Sequence, residues 1–358
     1  MQYVKPYVIL LITILGCSGQ GGQDAATFKS ETVKATDVFL SLETSKFLGN
    51  PTRIKAYDGG LYFSDHGYQR VVKVNRDRDS LFSFGSHGRG PGEFESLAGF
   101  WVFDDSYLVY DYNGFKFITY DSLGNHIEDK VVKKNPVNPD GFPPNIPITV
   151  QAISTDKLLI PSRGRNGSLF AIADIETGDL TYAETAVGEH VESFNQEEVE
   201  QAFSKGEIPD IFMNLVLLGS SSSGIYSFQQ TTRVLEKYSH SGDLIWQKNI
   251  TIPAQDDLFD KISRHNQQED QNNHMFTYAK AMDARKDGVA ILLNMPEASP
   301  VAACWVSQDG SDMNVITYPE IDKEEGFGMG SFTVSPADKR AYFLNSRKGI
   351  IYEANWPL

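Results

Sequence analysis

The sequence predicts an all-β chain folded as a six-bladed β-propeller closed by an N-terminal strand, and three observations carry that expectation. First, a short apolar strand running into a polar turn recurs six times, at Leu61–Asp65, Leu108–Asp111, Leu158–Ser162, Ile225–Gln229, Ala290–Asn294 and Ala341–Asn345. The copies stand some 45 to 70 residues apart, the period of a four-stranded blade with insertions, and one blade cannot bury its own faces without neighbours. Second, the last copy offers three strands, Ser331–Ser335, Lys339–Asn345 and Ile350–Ala354, before the chain stops at Leu358. Third, residues from Thr32 to Leu42 alternate in the manner of a strand, with Val33, Ala35, Val38, Leu40 and Leu42 apolar, yet no companion strands surround them. An N-terminal strand that completes the last blade joins the two chain ends and removes an open sheet edge.

In chain order, Lys5 precedes a largely apolar run from Tyr7 to Leu15, followed by Gly16, Cys17 and the small or polar residues Ser18 to Gly22. The run is too short to span a bilayer, which needs about 20 apolar residues, and reads as a secretory signal peptide over 1–16. Its end at Leu15-Gly16-Cys17 resembles the lipobox of bacterial lipoproteins, although Ile14 and Leu15 depart from the usual order. The resemblance implies cleavage after Gly16, acylation of the Cys17 sulfur and attachment to a membrane. By the same analogy Ser18 fits an outer-membrane destination, with the body on the periplasmic or cell-surface side. Residues 17–30, rich in Gly, Gln, Ser and Ala, read as a flexible tether, and 31–358 as the propeller.

Composition agrees. The chain has 358 residues, 41% hydrophobic and 12% aromatic, with Gly 30 and Pro 16, which suits a β-rich body with many turns. Its net charge of −15 argues against a nucleic-acid partner, because phosphate binding relies on clustered Lys and Arg. With two cysteines, one of them Cys17, no disulfide framework exists, and Cys304 in its apolar strand reads as core filling.

Between the first two repeats lies Gly85-Ser86-His87-Gly88-Arg89-Gly90-Pro91-Gly92-Glu93-Phe94. The loop lacks the Lys-Ser/Thr pair of a phosphate loop and precedes a strand, so it reads as a crossing from one blade to the next. With the hairpin Tyr120-Asp121-Ser122-Leu123-Gly124-Asn125 it resembles NHL-repeat propellers and the TolB-like six-bladed propeller lipoproteins of Bacteroidota, strongly over about 50 to 130 and weakly beyond. Two stretches, near 190–212 and 253–280, carry helical spacing around Glu197–Phe203 and Leu258–Ser263 and are expected as insertions between blades.

Candidate site residues close the second strand of each repeat: Asp65, Asp111, Ser162, Gln229, Asn294 and Asn345. Propeller symmetry would place them around one face, and their oxygens suit hard cations or sugar hydroxyls. His66, Arg163, Arg165 and Arg347 stand beside them and suit anion recognition. The alternative is that such residues bond their own turn backbone. The histidines show no metal-ligand spacing, and no Gly-x-Ser-x-Gly elbow supports a hydrolase triad.

These observations lead to an expectation of a membrane-anchored binding or scaffolding module for a protein, peptide or glycan, with no cofactor and no assigned catalytic residue. The alternative is a propeller enzyme of the lactonase or lyase kind, in which a divalent cation such as calcium is held by Asp65, Asp111, Asn294 or Asn345 with His66 as base.

Overall fold

The computed structural model describes residues 29–34, 36–45, 48–76, 78, 81–131, 150–184, 188–191, 195–266, 277–296, 299–321 and 329–358. The leader, Cys17 and most of the tether lie outside the described residues.

Six sheets follow one another along the chain, each an antiparallel meander whose strands are here lettered a to d from the channel outwards. Blade 1 is Pro51–Tyr57, Gly60–Asp65, Arg70–Asn75 and Leu81–Phe84. Blade 2 is Leu97–Val102, Ser106–Asp111, Lys116–Asp121 and His126–Val131. Blade 3 is Gln151–Ala152, Lys157–Pro161, Ser168–Asp174 and Leu180–Glu184. Blade 4 is Val216–Ser221, Gly224–Gln229, Val234–Tyr238 and Leu244–Asn249. Blade 5 is Ala279–Arg285, Gly288–Leu293, Val301–Ser307 and Met313–Tyr318. Blade 6 takes Met329–Ser335, Arg340–Asn345 and Ile350–Asn355 from the C-terminus and its strand d, Thr36–Ser41, from the N-terminus. The ring is therefore closed by the N-terminal strand.

Closure differs from a single strand over 32–42. The chain first runs as Lys29–Thr32, paired in parallel with strand d of blade 5 as a fifth strand. It then buries Val33 between blades 5 and 6 and resumes as strand d of blade 6. A bulge between Val38 and Leu40 breaks the alternation, which turns Phe39 and Leu40 both inward and leaves Val38 exposed.

The core is a set of inter-blade layers, because period-two alternation sends successive residues of one strand to opposite neighbours. In strand b of blade 5, Ile291 packs toward blade 4, whereas Ala290 and Leu292 pack toward blade 6. Equivalent layers join blades 6 and 1 through Phe63 and Leu344, 1 and 2 through Phe84 and Tyr107, 2 and 3 through Phe117 and Leu158, and 3 and 4 through Phe170 and Tyr238. Cys304 is fully buried in the layer between blades 4 and 5, and burial pushes its thiol up to about 12, which makes it an inert apolar side chain.

Helices lie between blades 3 and 4, as α1 (Gln196–Ser204) and α2 (Asp210–Met213), and between blades 4 and 5, as α3 (Asp256–Asn266). Asn195 caps α1 by accepting from the backbone N–H groups of Glu197 and Glu198. Val199, Phe203, Ile211 and Phe212 form a small core of their own, against which Ile262 of α3 packs. Among the described residues no helix is long and apolar enough to cross a membrane.

In the Gly-rich crossing, Ser86–His87 pairs in parallel with Glu93–Phe94. A Cβ on Gly85, at φ 77°, would lie 2.3 Å from the fully buried Phe94 ring, so the residue type is fixed by packing.

Candidate binding channel

Each blade has two ends. At one end lie the b–c loops and the links from strand d to the next strand a; at the other lie the a–b and c–d turns. The residues that close strand b all sit at the first end, and each is taken up by its own surroundings. The Asp65 carboxylate is fully buried and accepts from the backbone N–H groups of Gly49 (3.0 Å), Asn50 (2.8 Å) and Gly67 (3.1 Å). Asp111 repeats the arrangement one blade on, accepting from Glu95 (3.1 Å) and Ser96 (2.9 Å). In both blades the carboxylate clamps the two residues that lead into strand a.

The other candidates are tied in similar ways. Ser162 donates to the Ser168 carbonyl, Asn294 donates to the Thr277 carbonyl (2.8 Å), and Asn345 accepts from the Lys348 N–H (3.1 Å). Gln229 accepts from the Thr232 hydroxyl and lies against Glu236, whose carboxyl burial pushes up. Arg163 is buried in the b–c loop of blade 3, where burial pulls its pKa down to about 10, while Arg165 is half-buried and Arg347 exposed. His66 is half-buried, and burial lowers its pKa. Among the described residues no group of three or more His, Cys, Asp or Glu is spaced to hold a metal ion. The carboxylates that a calcium ion would need are turned onto backbone N–H groups, so this set does not fit the ion.

A large cavity lies elsewhere. A channel of about 1160 Å³ runs between the a strands, lined chiefly by those strands and the a–b turns and by none of the ten b–c-end candidates from Asp65 to Arg347. Among the described residues its wall carries four cations, Arg53 and Lys55 from blade 1 and Lys280 and Arg285 from blade 5, against one carboxylate, Asp283. Its mouth, formed by the a–b turns, carries Asp58, Asp104, Asp105, Asp287 and Asp338 against Lys286. A chain of net charge −15 thus concentrates positive charge in its centre.

Asp283 organises the wall. It is almost fully buried and accepts from Lys55 Nζ (2.6 Å), Arg285 Nη2 (2.6 Å) and Nε (2.9 Å), Thr333 Oγ1 (2.8 Å) and the Val334 N–H (2.8 Å). Arg285 Nη1 also donates to the Ala56 carbonyl (2.8 Å). The network therefore ties together blades 5, 6 and 1, the side where the N-terminal strand closes the ring. Burial opposes the charge on Asp283, but Arg285 and Lys55 outweigh it and hold the carboxyl below its usual range. Lys55, partly open to the channel, has its pKa lowered by burial and by Arg285, as expected where two cations share one anion.

Further along the strands, toward the b–c end, lie Arg53, two residues or about 7 Å from Lys55, and Lys280, three residues or about 10 Å from Asp283. Burial lowers the pKa of both, to about 8 for Lys280. Both residues keep partial exposure. A Cβ on Gly99 would stand 3.4 Å from Arg53 Nη1 and 3.0 Å from Trp101 Cη2. The absent side chain lets a guanidinium from blade 1 and an indole from blade 2 share one place. Trp101 Nε1 donates to Gln151 Oε1 of blade 3 (3.3 Å), which fixes the ring.

Sequence reasoning missed this wall. The signal available was the charge placed inside the first strand of two repeats, Arg53-Ile54-Lys55 and Lys280-Ala281-Met282-Asp283-Ala284-Arg285, where alternation also fits an ordinary solvated strand face.

No protein-family model matches this chain, and no curated protein matches it. Solved structures share its architecture. A protein of Bacteroides fragilis NCTC 9343, described as a candidate exported protein, aligns over 92% of this chain and 99% of its own, with 11% identity and a TM-score of 0.52. A member of the DUF4221 family from Bacteroides vulgatus aligns over 90% and 96%, with 9% identity and a TM-score of 0.52. A streptogramin B lyase structure aligns over 90% and 97%, with 10% identity, but its TM-score of 0.49 carries no argument about activity. At these identities the likeness shows the six-bladed propeller fold alone.

Proposed function

We propose that this chain is an exported, membrane-anchored propeller that acts as a binding module, with the central channel as its ligand site. The observation that supports it most is the channel wall: cations gathered along a cavity of ligand size in an otherwise acidic protein. The lipobox-like Cys17 and the exported character stated for the Bacteroides fragilis structure support export. Lys29 pairs with Asn314, just after the c–d turn of blade 5 and on the face where the channel opens. About a dozen residues separate it from Cys17, a reach of at most about 40 Å. A lipid on Cys17 would tether the ring from the side of its channel mouth. Intact mass of the chain extracted from membranes, with Cys17→Ser as control, tests the anchor; an unmodified Cys17 contradicts it.

The enzyme alternative requires oxygen ligands converging on one cation, and Asp65 and Asp111 are instead engaged by separate loops. The discriminating experiment is metal analysis of the full chain purified without chelator, with its melting temperature before and after EDTA. The binding reading expects no stoichiometric divalent ion and an unchanged melting temperature. A stoichiometric ion whose removal lowers the melting point would favour a cation-dependent hydrolase or lyase.

A further inference from the structure

We infer that the channel takes a short peptide of about five residues with free termini, held extended with its C-terminal carboxylate at Arg53 and Gln151 and its N-terminal ammonium among the aspartates of the mouth. This inference rests on the channel reading proposed above and names the ligand chemistry of that site.

The inner end lies on blades 1 to 3. The place that a Cβ on Gly99 would take is 3.4 Å from Arg53 Nη1 and 3.0 Å from Trp101 Cη2, and Trp101 Nε1 donates to Gln151 Oε1 (3.3 Å). Among the described residues no acceptor engages the Arg53 guanidinium or the Gln151 Nε2, and burial lowers the Arg53 pKa with no carboxylate to oppose it. This part of the wall therefore offers donors without acceptors. A planar guanidinium and a carboxamide N–H match the two oxygens of a carboxylate. Trp101 joins the two groups with its own N–H committed and its ring partly exposed, an apolar surface for the side chain of the terminal residue.

The outer end has the opposite sign. Asp58, Asp104, Asp105, Asp287 and Asp338 surround the mouth against Lys286, and among the described residues no hydrogen bond or ion pair engages the Asp58 and Asp287 carboxylates. An anionic rim over a cationic interior disfavours ligands of a single sign. A polyanion is opposed at the mouth and a polycation at the wall, while a neutral glycan gains from neither. A zwitterion with its ammonium outward gains from both, provided that its charges stand far enough apart. From Arg53 to Asp58 strand a of blade 1 and its turn advance about 17 Å over five residues. A free amino acid is too short to reach both ends, whereas an extended peptide advances about 3.3–3.6 Å per residue and covers the distance with about five. Lys55, two residues along from Arg53 and partly open to the channel, has Nζ protons beyond the one given to Asp283 for a peptide carbonyl. A volume of about 1160 Å³, at the upper end of small-molecule sites, suits an elongated ligand.

The test offers the immobilised, detergent-solubilised full chain random synthetic peptide pools of two and of five residues at pH 7, with free termini, with amidated C-termini or with acetylated N-termini, and reads retained peptides by mass spectrometry. The free pentapeptides are expected to be retained, the amidated ones at least tenfold less, and the acetylated ones and the dipeptides at least threefold less. In calorimetry with the best pentapeptide, Arg53→Gln should bind at least tenfold more weakly and no longer respond to amidation, with Gln151→Leu as a second probe should the first variant unfold. Asp58→Asn/Asp287→Asn should remove the effect of acetylation and keep that of amidation. Equal retention of free and amidated pentapeptides, dipeptides held as well as pentapeptides, or affinity unchanged in the folded wall variant overturns the inference. Neutral and acidic saccharides and small organic acids run in parallel separate the two levels. A ligand of those classes that is lost in Arg53→Gln, with no peptide bound, overturns the peptide class and keeps the channel; no ligand of any class responding to a channel variant overturns both.

Discussion

Asp283→Ala is expected to destabilise the protein by about 2–4 kcal/mol, because it strands two partly buried cations that now share one almost fully buried carboxylate. Thr333 Oγ1 and the Val334 N–H lose an acceptor in the same step. The damage falls on blades 5, 6 and 1, so loss of cooperative unfolding at the closure is expected alongside the shift in midpoint. The double variant Lys55→Met/Asp283→Ala should cost less than the sum of the two singles, since the second change removes a charge that the first left unpaired. The pH dependence has a definite sign. The folded-state pKa of Asp283 lies below that of the unfolded chain, so its contribution is complete above about pH 4–5 and is lost as the pH falls further. Urea unfolding of wild type and Asp283→Ala at pH 7 and pH 3 reads this directly, with the gap smaller at pH 3. A cost under about 1 kcal/mol at pH 7 would show that the network is incidental.

The second large effect concerns the other end of the blades. Asp65→Ala and Asp111→Ala are each expected to cost about 2–4 kcal/mol, because each leaves backbone N–H groups of a strand-entry loop without an acceptor. Both carboxylates are buried, with Asp65 at 0% and Asp111 at 1% exposure, so water does not replace them. The costs should add, since the two clamps share no partner. Ligand affinity of the folded fraction should be unchanged in either variant. Lost binding with intact stability would instead return these residues to a functional role, and thermal unfolding together with calorimetry distinguishes the outcomes.

The fold was readable because its determinants are local and repeated. Leu61–Asp65, Leu108–Asp111 and their counterparts became strand b of successive blades, and the orphan apolar segment near Val38 and Leu40 found the missing edge of blade 6. Residues 29–32 gave no such warning: all four are exposed, and their parallel pairing with blade 5 depends on an edge almost 300 residues away. The site was harder for a related reason. Asp65 and Asp111 attract notice as acidic residues at equivalent positions, but the structure accounts for that equivalence by a repeated loop clamp. Arg53, Lys55, Lys280 and Arg285 are at non-equivalent positions in only two blades, and only closure of the ring brings them to one cavity. A repeat pattern reports what every blade needs in order to fold; a ligand site in a propeller depends on where individual blades depart from it.

The most direct test of the account is the ligand-induced change in melting temperature of the full chain across acidic, neutral and basic saccharides and peptides, for wild type, Arg53→Gln and Arg347→Ala. Arg53 lines the channel, and Arg347 is exposed on a b–c loop at the opposite end. A ligand at about 100 times its dissociation constant stabilises by about 2.7 kcal/mol, a shift of several degrees. The account predicts such a shift in wild type and Arg347→Ala and its loss in Arg53→Gln. A shift that survives in Arg53→Gln and disappears in Arg347→Ala would place the site on the loops and contradict it.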